Sequence, residues 1–234
     1  MSSSQVRAAY FSDVLCVWAY VGQRRVTELK KQFGDRVSLI YRFIHVFGHV
    51  PDKIARNWAD RGGIDAYRDH VLGVAAQFPH VDISPQVWTR NTPASAGPAH
   101  VFLKAVALSC DASREALSPQ ERWQGRDTVE EAAWQVRLAF FRDARDVSKR
   151  GELLDIARSL DLDVDRINRH LDDGTALAEI WLDQARKEHH GVVGSPTWVL
   201  NRGRQKLFGN VGYRIVEANV EELLRGNAKN LSWC

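Results

Sequence analysis

The hydrophobic pattern of the chain begins with strand character, passes through a long helical middle and returns to strand character near the end. Val6 to Phe11 is an almost unbroken apolar and aromatic run, the pattern of a buried strand. Ser12 and Asp13 follow as turn or capping residues. Cys16 to Phe33 then has a helical pattern, with Val21, Leu29 and Phe33 apolar and Arg24, Arg25, Lys30 and Lys31 facing outward, until Gly34-Asp35 stops it. Val37 to Ile44 predicts a second strand. Strand, helix and strand in this order describe a βαβ unit, whose crossover is expected to be right-handed.

Little β signal follows. His49 to Gly63 reads as irregular, Ile64 to Phe78 as helix, Pro79 to Pro98 as loop, and Ala99 to Ser109 as an apolar helix. Val129 to Arg145 has the clearest helical pattern, with Val129, Ala133, Val136 and Phe140 on one face. Leu153 to Leu160, Val164 to Leu171 and Ala176 to Glu188 predict three more helices. Strand character returns in Pro196 to Asn201 and Gln205 to Phe208, joined by a turn into a hairpin. Tyr213 to Arg225 closes the series as a helix with Val216, Val220 and Leu223 buried and Gly226 in the C-terminal capping position. The order β-α-β, helical block, β-β-α fits one mixed four-stranded sheet interrupted by an all-helical insertion. The expected division is residues 1–49 with 191–234 for the sheet-containing part and 50–190 for the insertion.

The 234 residues suit one large domain or two joined ones. A net charge of +3, with both signs interspersed, leaves no cationic block for nucleic acid or an acidic membrane surface. No stretch approaches the ~18 apolar residues of a membrane span, and the N-terminus lacks a signal-peptide pattern, so a cytoplasmic protein is expected. The three cysteines, Cys16, Cys110 and Cys234, form neither a disulfide framework nor a zinc spacing. Cys110, on an apolar helix, is expected in the core. His45 and His49 have a metal-compatible spacing but straddle a strand end, and no metal is expected. The eight tryptophans suggest large buried contacts, with Trp58, Trp88, Trp123 and Trp134 as core or cleft residues.

Cys16 follows a strand and opens a helix. Free N–H groups and partial positive charge there favour a thiolate, which is the reactive form of cysteine. A partly exposed Cys16 more acidic than a free thiol is therefore expected, with the charge of Asp13 opposing the effect. Position alone also fits a small buried residue at a strand–helix junction.

Residues 12 to 22, S-D-V-L-C-V-W-A-Y-V-G, resemble the active-site segment of the DsbA family of thioredoxin-fold proteins, particularly its FrnE-like branch, which reads approximately S-D-x-x-C-P-W-C-Y-x-G. Residues 191 to 199, G-V-V-G-S-P-T-W-V, resemble the family's second signature. The later L-F-G-N-V-G-Y-R resembles a region of kappa-class glutathione transferases and hydroxychromene-carboxylate isomerases, sister groups with the same fold and insert. The resemblance implies a thioredoxin-like fold and a cis Ser195–Pro196 bond with Pro196 packed on the Cys16 thiol. It implies a binding surface formed by Trp18, Val193, Gly194, Ser195, Gly209 and Asn210, on which the backbone at Ser195 pairs with an extended peptide such as glutathione. The kappa-class relatives also suggest a homodimer.

The departures narrow the function. Cys16-Val17-Trp18-Ala19 stands where a dithiol enzyme has Cys-Pro-Trp-Cys, so the resolving thiol is missing. Cys16 can then form only a mixed disulfide that an external thiol resolves. The leading expectation is a thiol–disulfide oxidoreductase with a one-cysteine mechanism and glutathione as co-substrate. The alternatives are a glutathione-dependent transferase or isomerase, and a redox-inactive peptide-binding or chaperone-like module. Asn210-Val211-Gly212 replaces the relatives' Ser/Gln-Asp-Arg, so the carboxylate expected to pair the γ-glutamyl amine is absent. Cys234 is a further candidate for a substitute second thiol, set against a simple exposed terminus.

Overall fold

The computed structural model describes residues 5–110, 123 and 125–225. Cys234 and Gly226 lie outside them. Four strands form one mixed sheet: β1 (Val6–Ser12), β2 (Val37–Phe43), β3 (Thr197–Leu200) and β4 (Gln205–Phe208), in the order β2-β1-β3-β4. β1 pairs parallel with β2 from Val6 opposite Val37 to Ser12 opposite Phe43. It pairs antiparallel with β3, Ala8 opposite Leu200 and Phe11 opposite Thr197. The near-continuous apolar run predicted for β1 reflects its central place, buried on one face throughout and on the other at Phe11, whereas the edge strand β4 alternates half-buried and exposed residues.

Helix α1 (Val17–Phe33) packs Val21, Val26, Leu29 and Phe33 into the core shared with Val216, Val220 and Leu223 of α9 (Tyr213–Leu224). Between β2 and β3 the described residues form α2 (Val50–Trp58), α3 (Gly63–Ala75), α4 (Gly97–Ser109), α5 (Thr128–Phe141), α6 (Arg150–Ser159), α7 (Val164–Asp172) and α8 (Thr175–His189). This is the thioredoxin-like fold of DsbA type with a helical insertion that the element order and the signatures led one to expect. No helix among the described residues is long and apolar enough to cross a membrane.

Three local expectations are corrected. Residues 50–58 form α2, not irregular chain, because His49 caps it by accepting the Asp52 N–H at 3.1 Å and Pro51 sits in its first turn. Only Val50 of that helix is buried, so its apolar periodicity is faint. Helix α5 stops at Phe141, four residues before the predicted end, and Ala144 just beyond takes a left-handed φ of 50°. Cys110 is exposed, not in the core.

Two buried polar networks tie the insertion to the sheet. Asp183 of α8, fully buried, accepts the Phe43 N–H at 2.9 Å and faces Lys104 Nζ at 2.5 Å and Arg42 at 3.1 Å. Arg137 of α5, also fully buried, donates to Ser12 Oγ at 3.0 Å and to Gln23 Oε1 at 3.3 Å. Gln23 in turn donates to Glu130, which pairs with Lys30 at 2.6 Å. At the C-terminus of α8 the carbonyls of His190 and Gly191 are capped by Lys206 Nζ, at 3.1 and 3.0 Å. Burial, His189 and Lys206 hold His190 below the usual histidine range, so Lys206 and not His190 supplies the cation there.

Candidate active site

Cys16 is the N-cap residue of α1, in extended conformation, and its carbonyl accepts the N–H of Ala19 and Tyr20. β1 ends at Ser12, a short turn before it, and β3 begins directly after Pro196. The antiparallel pairing of these strands brings the two segments together. The Ser195–Pro196 peptide bond is cis. Cys16 Sγ donates to the Ser195 carbonyl oxygen at 3.3 Å, a contact across 179 residues of sequence. Ser195 Oγ accepts the Asp13 N–H at 2.9 Å, a side-chain role that the signature did not indicate.

The loop around Pro196 is held from both sides. Thr197 Oγ1 donates to the Gly194 carbonyl at 2.7 Å, and the Gly209 N–H donates to the Pro196 carbonyl at 2.9 Å. Gly194 lies under the Phe208 ring, where a Cβ would meet Phe208 Cε2 at 2.9 Å, so any side chain at this position displaces the ring. Gly209 needs its φ of 86° to bring the chain out of β4. Val193 and Phe208 are exposed, leaving apolar surface on this loop. Trp18 is half-buried and packs edge-on against Phe78 of the insertion, with ring centroids 6.4 Å apart. Asn210 Oδ1 is shielded from solvent and has no hydrogen-bond partner among the described residues. Ala19, in the place of a resolving cysteine, is fully buried.

The expectation of a partly exposed, acidic Cys16 is overturned. Cys16 is only 6% exposed. Burial pushes its thiol above the ordinary value and the Asp13 charge adds to this, against the Ser195 side-chain hydroxyl and the N–H groups of Ala19 and Trp18. Desolvation therefore outweighs the helix N-terminus.

Asp13 was read from the sequence as a cap of α1. Its carboxylate instead accepts the Leu15 N–H at 2.9 Å and the Phe47 N–H at 2.8 Å, and His100 Nε2 lies 3.5 Å away. Burial alone raises such a carboxyl, but the charge and hydrogen bond of His100 and the two backbone N–H groups outweigh it and hold Asp13 below its usual range. A depressed native pKa stabilises the fold above the unfolded value, about 3.9, and that stabilisation is lost as the pH falls through the native value. Urea denaturation of the wild type and Asp13→Asn should therefore differ most at neutral pH and converge in acid. A gap independent of pH counts against a charged native Asp13.

His100, 84 residues from Cys16, carried no sequence signal, and neither did Tyr67, whose hydroxyl lies within electrostatic reach of Cys16 and Asp13. Three of the four tryptophans singled out from the sequence serve packing: Trp88 is fully buried against Phe47, Tyr67 and Phe140, Trp58 packs on Tyr67, and Trp134 stacks on Tyr20. His49 is spent as a helix cap, and among the described residues no group of three or more metal-ligating side chains converges.

The family profile of the DSBA-like thioredoxin domain matches residues 9–221. Among solved structures, a Nitrosomonas europaea protein with a protein disulfide isomerase designation superposes with a TM-score of 0.71 at 14% identity, over 96% of this chain and all of the other. A 2-hydroxychromene-2-carboxylate isomerase gives 0.64 at 15% identity, over 97% and 100% of the two chains. The cytosolic disulfide reductase DsbM from Pseudomonas aeruginosa gives 0.63 at 17%, over 94% and 98%, and its structure with GSH superposes similarly, with a TM-score of 0.62. No functionally curated sequence matches this chain.

Proposed function

From the premise that this chain belongs to the family of DSBA-like thioredoxin domains, we propose that it is a cytoplasmic thiol–disulfide oxidoreductase that works through Cys16 alone and takes its second thiol from glutathione. The observation that carries this reading is the contact of Cys16 Sγ with the Ser195 carbonyl beside cis Pro196, with an alanine where a resolving thiol belongs. Cys16 attacks one sulfur of a disulfide; the new Sγ–S bond forms as the old S–S bond breaks, and the departing sulfur takes up a proton. Lacking a neighbouring cysteine, the mixed disulfide on Cys16 is cleaved by the thiolate of an external glutathione, which returns the Cys16 thiol and leaves the disulfide on the glutathione product.

The binding surface supports the same reading. Ser195 offers backbone groups to an extended tripeptide. Asn210 Oδ1, a shielded acceptor without a partner among the described residues, is suited to an ammonium group such as that of the γ-glutamyl end, in place of the missing carboxylate. The similarity to a cytosolic disulfide reductase solved with GSH points the same way.

A second reading is favoured by the raised thiol pKa. A protonated Cys16 that donates a hydrogen bond, as it does to Ser195, suits a group that holds the thiolate of bound glutathione for a transferase or isomerase. Isothermal calorimetry with reduced glutathione tests what the two readings share. Binding at millimolar concentration or below, weakened by Asn210→Leu, is the expected outcome. No heat up to millimolar glutathione defeats both readings in favour of a redox-inactive peptide-binding module.

A further inference from the structure

Beyond Cys16, helix α1 carries charges that the reading above leaves unused. Val21, Arg24, Arg25 and Glu28 of α1, His80 of the insertion and Tyr213 of α9 line an open groove of about 490 Å³. Trp18, Gly22 and Arg25 fall on one face of the helix, so the groove continues from the surface beside Cys16. Trp18 packs on Phe78 and Phe78 on His80, whose Nε2 donates to the Val21 carbonyl at 3.1 Å. On the side of α9, the Tyr213 hydroxyl donates to the Glu28 carbonyl at 3.4 Å. The guanidinium of Arg25 turns back over Gly22, where a Cβ would lie 3.9 Å from Arg25 Nη1 and 3.3 Å from the Tyr10 hydroxyl. Arg25 is half-buried, and burial pushes it below the usual arginine value. Among the described residues no acceptor takes its side-chain N–H groups and no carboxylate pairs with it. A helix face that merely carried charge into water would leave Arg25 exposed, as Arg24 is.

The other end of the groove has the opposite sign. Glu28 is exposed and has no ion pair among the described residues. Burial first, then Glu217, Glu28 and Glu221, push the Tyr213 phenol up to about 12. A plain anion is a poor fit to such a groove, because Glu28 repels it, and a plain cation meets Arg24 and Arg25. A group that carries both charges side by side satisfies both ends. Arg25 and Glu28 are neighbours on the helix surface by their spacing, and a guanidinium binds a carboxylate through two parallel hydrogen bonds.

We propose that this groove seats the departing half of the substrate disulfide by a free α-amino-acid end, its carboxylate on Arg25 and its ammonium on Glu28. The substrates are then disulfides of amino-acid thiols, such as glutathione disulfide. The surface at Ser195 and Asn210 holds one half of a disulfide, and the second half needs a seat of its own. The reach agrees. Helix α1 rises about 9 Å from position 16 to position 22, over which the guanidinium lies. An extended tripeptide spans about 10 Å. Cys16 Sγ bonds to one sulfur, and the S–S bond breaks with its electron pair on the other. That sulfur takes up the proton that Cys16 gives up and leaves as a thiol, held at its far end by Arg25 and Glu28. The inference rests on Cys16 as the nucleophile of the proposed function.

The test is a single turnover on the full chain. Mass spectrometry follows the adduct formed on Cys16 from glutathione disulfide, with no glutathione added, and from hydroxyethyl disulfide, which bears no charge. Arg25→Gln and Glu28→Gln should each raise the half-saturating concentration of glutathione disulfide roughly tenfold, the effect of one hydrogen bond to a charged group. The ratio of the rates with the two disulfides should fall by the same factor, and Arg25→Lys should recover part of it. Dithiodipropionate, which has the carboxylate but no ammonium, should lose rate with Arg25→Gln only. A ratio that stays at its wild-type value, including equal slowing of both disulfides, overturns the proposal, as does a dithiodipropionate rate that ignores Arg25→Gln. If Cys16 gains no adduct from any of these disulfides, the proposed function fails, and calorimetry with S-methylglutathione reads the groove by itself. Binding weakened by both substitutions supports the seat. Binding that is absent, or that neither substitution moves, overturns it.

Discussion

Asp183→Ala is expected to destabilise the protein by about 3–5 kcal/mol, the range for removing one member of a buried ion pair. Asp183 and Lys104 are both almost completely removed from solvent, and Arg42 is largely so. Desolvation already holds Lys104 below its ordinary range, and Asp183 is the first of the influences that resist it. Without the carboxylate, a lysine and the Phe43 N–H are left buried with their main partner gone. The position matters for the site as well. Phe43 ends β2, and the chain runs from there through His45 to Phe47, which holds Asp13. Chemical denaturation checks the magnitude. Arg56→Ala, which breaks an exposed pair with Asp52, is the comparison and should cost at most about 0.5 kcal/mol. Similar costs for the two variants would mean that the buried network does not bind the insertion to the sheet.

Cys16→Ser is expected to lower glutathione-dependent reduction of a small mixed disulfide on the order of 10³-fold or more, because no other described residue at the site offers a nucleophilic sulfur. The serine hydroxyl fits the same N-cap position and keeps a hydrogen-bond donor toward the Ser195 carbonyl, so the fold should survive and thermal denaturation should shift little. The same variant separates the two catalytic readings. A transferase or isomerase that uses position 16 only as a donor to a bound thiolate retains most of its activity with serine. An oxidoreductase does not. Retained disulfide reduction by Cys16→Ser excludes Cys16 as the nucleophile.

The fold was largely legible in the sequence because its signals are local. The run from Val6 to Phe11, the helix that follows, and the late hairpin ending at Phe208 each declare their period within a few residues. Where the pattern misled, the determining contacts were weak or not apolar. Helix α2 buries a single residue and depends on a histidine cap, which no periodicity records. Cys110 follows an apolar helix as its C-cap residue, in extended conformation, and is exposed there.

The site divides along the same line. By itself the sequence determined that one cysteine opens a helix after a buried strand, that its second thiol is absent, and that a G-S-P-T segment precedes a strand far along the chain. These are facts of residue identity and short spacing. Only the tertiary structure decided how reactive that cysteine is. Burial at the junction of β1, β3 and the insertion opposes the helix N-terminus and raises the thiol, because removing an anion from water costs more than a few partial charges return. Only the tertiary structure could set His100 beside Asp13, and Asp183 beside Lys104 and Phe43. Their partners lie scores of residues away, and a charge is held inside a protein by whichever opposite charge or N–H the packing brings to it, not by its neighbours in sequence.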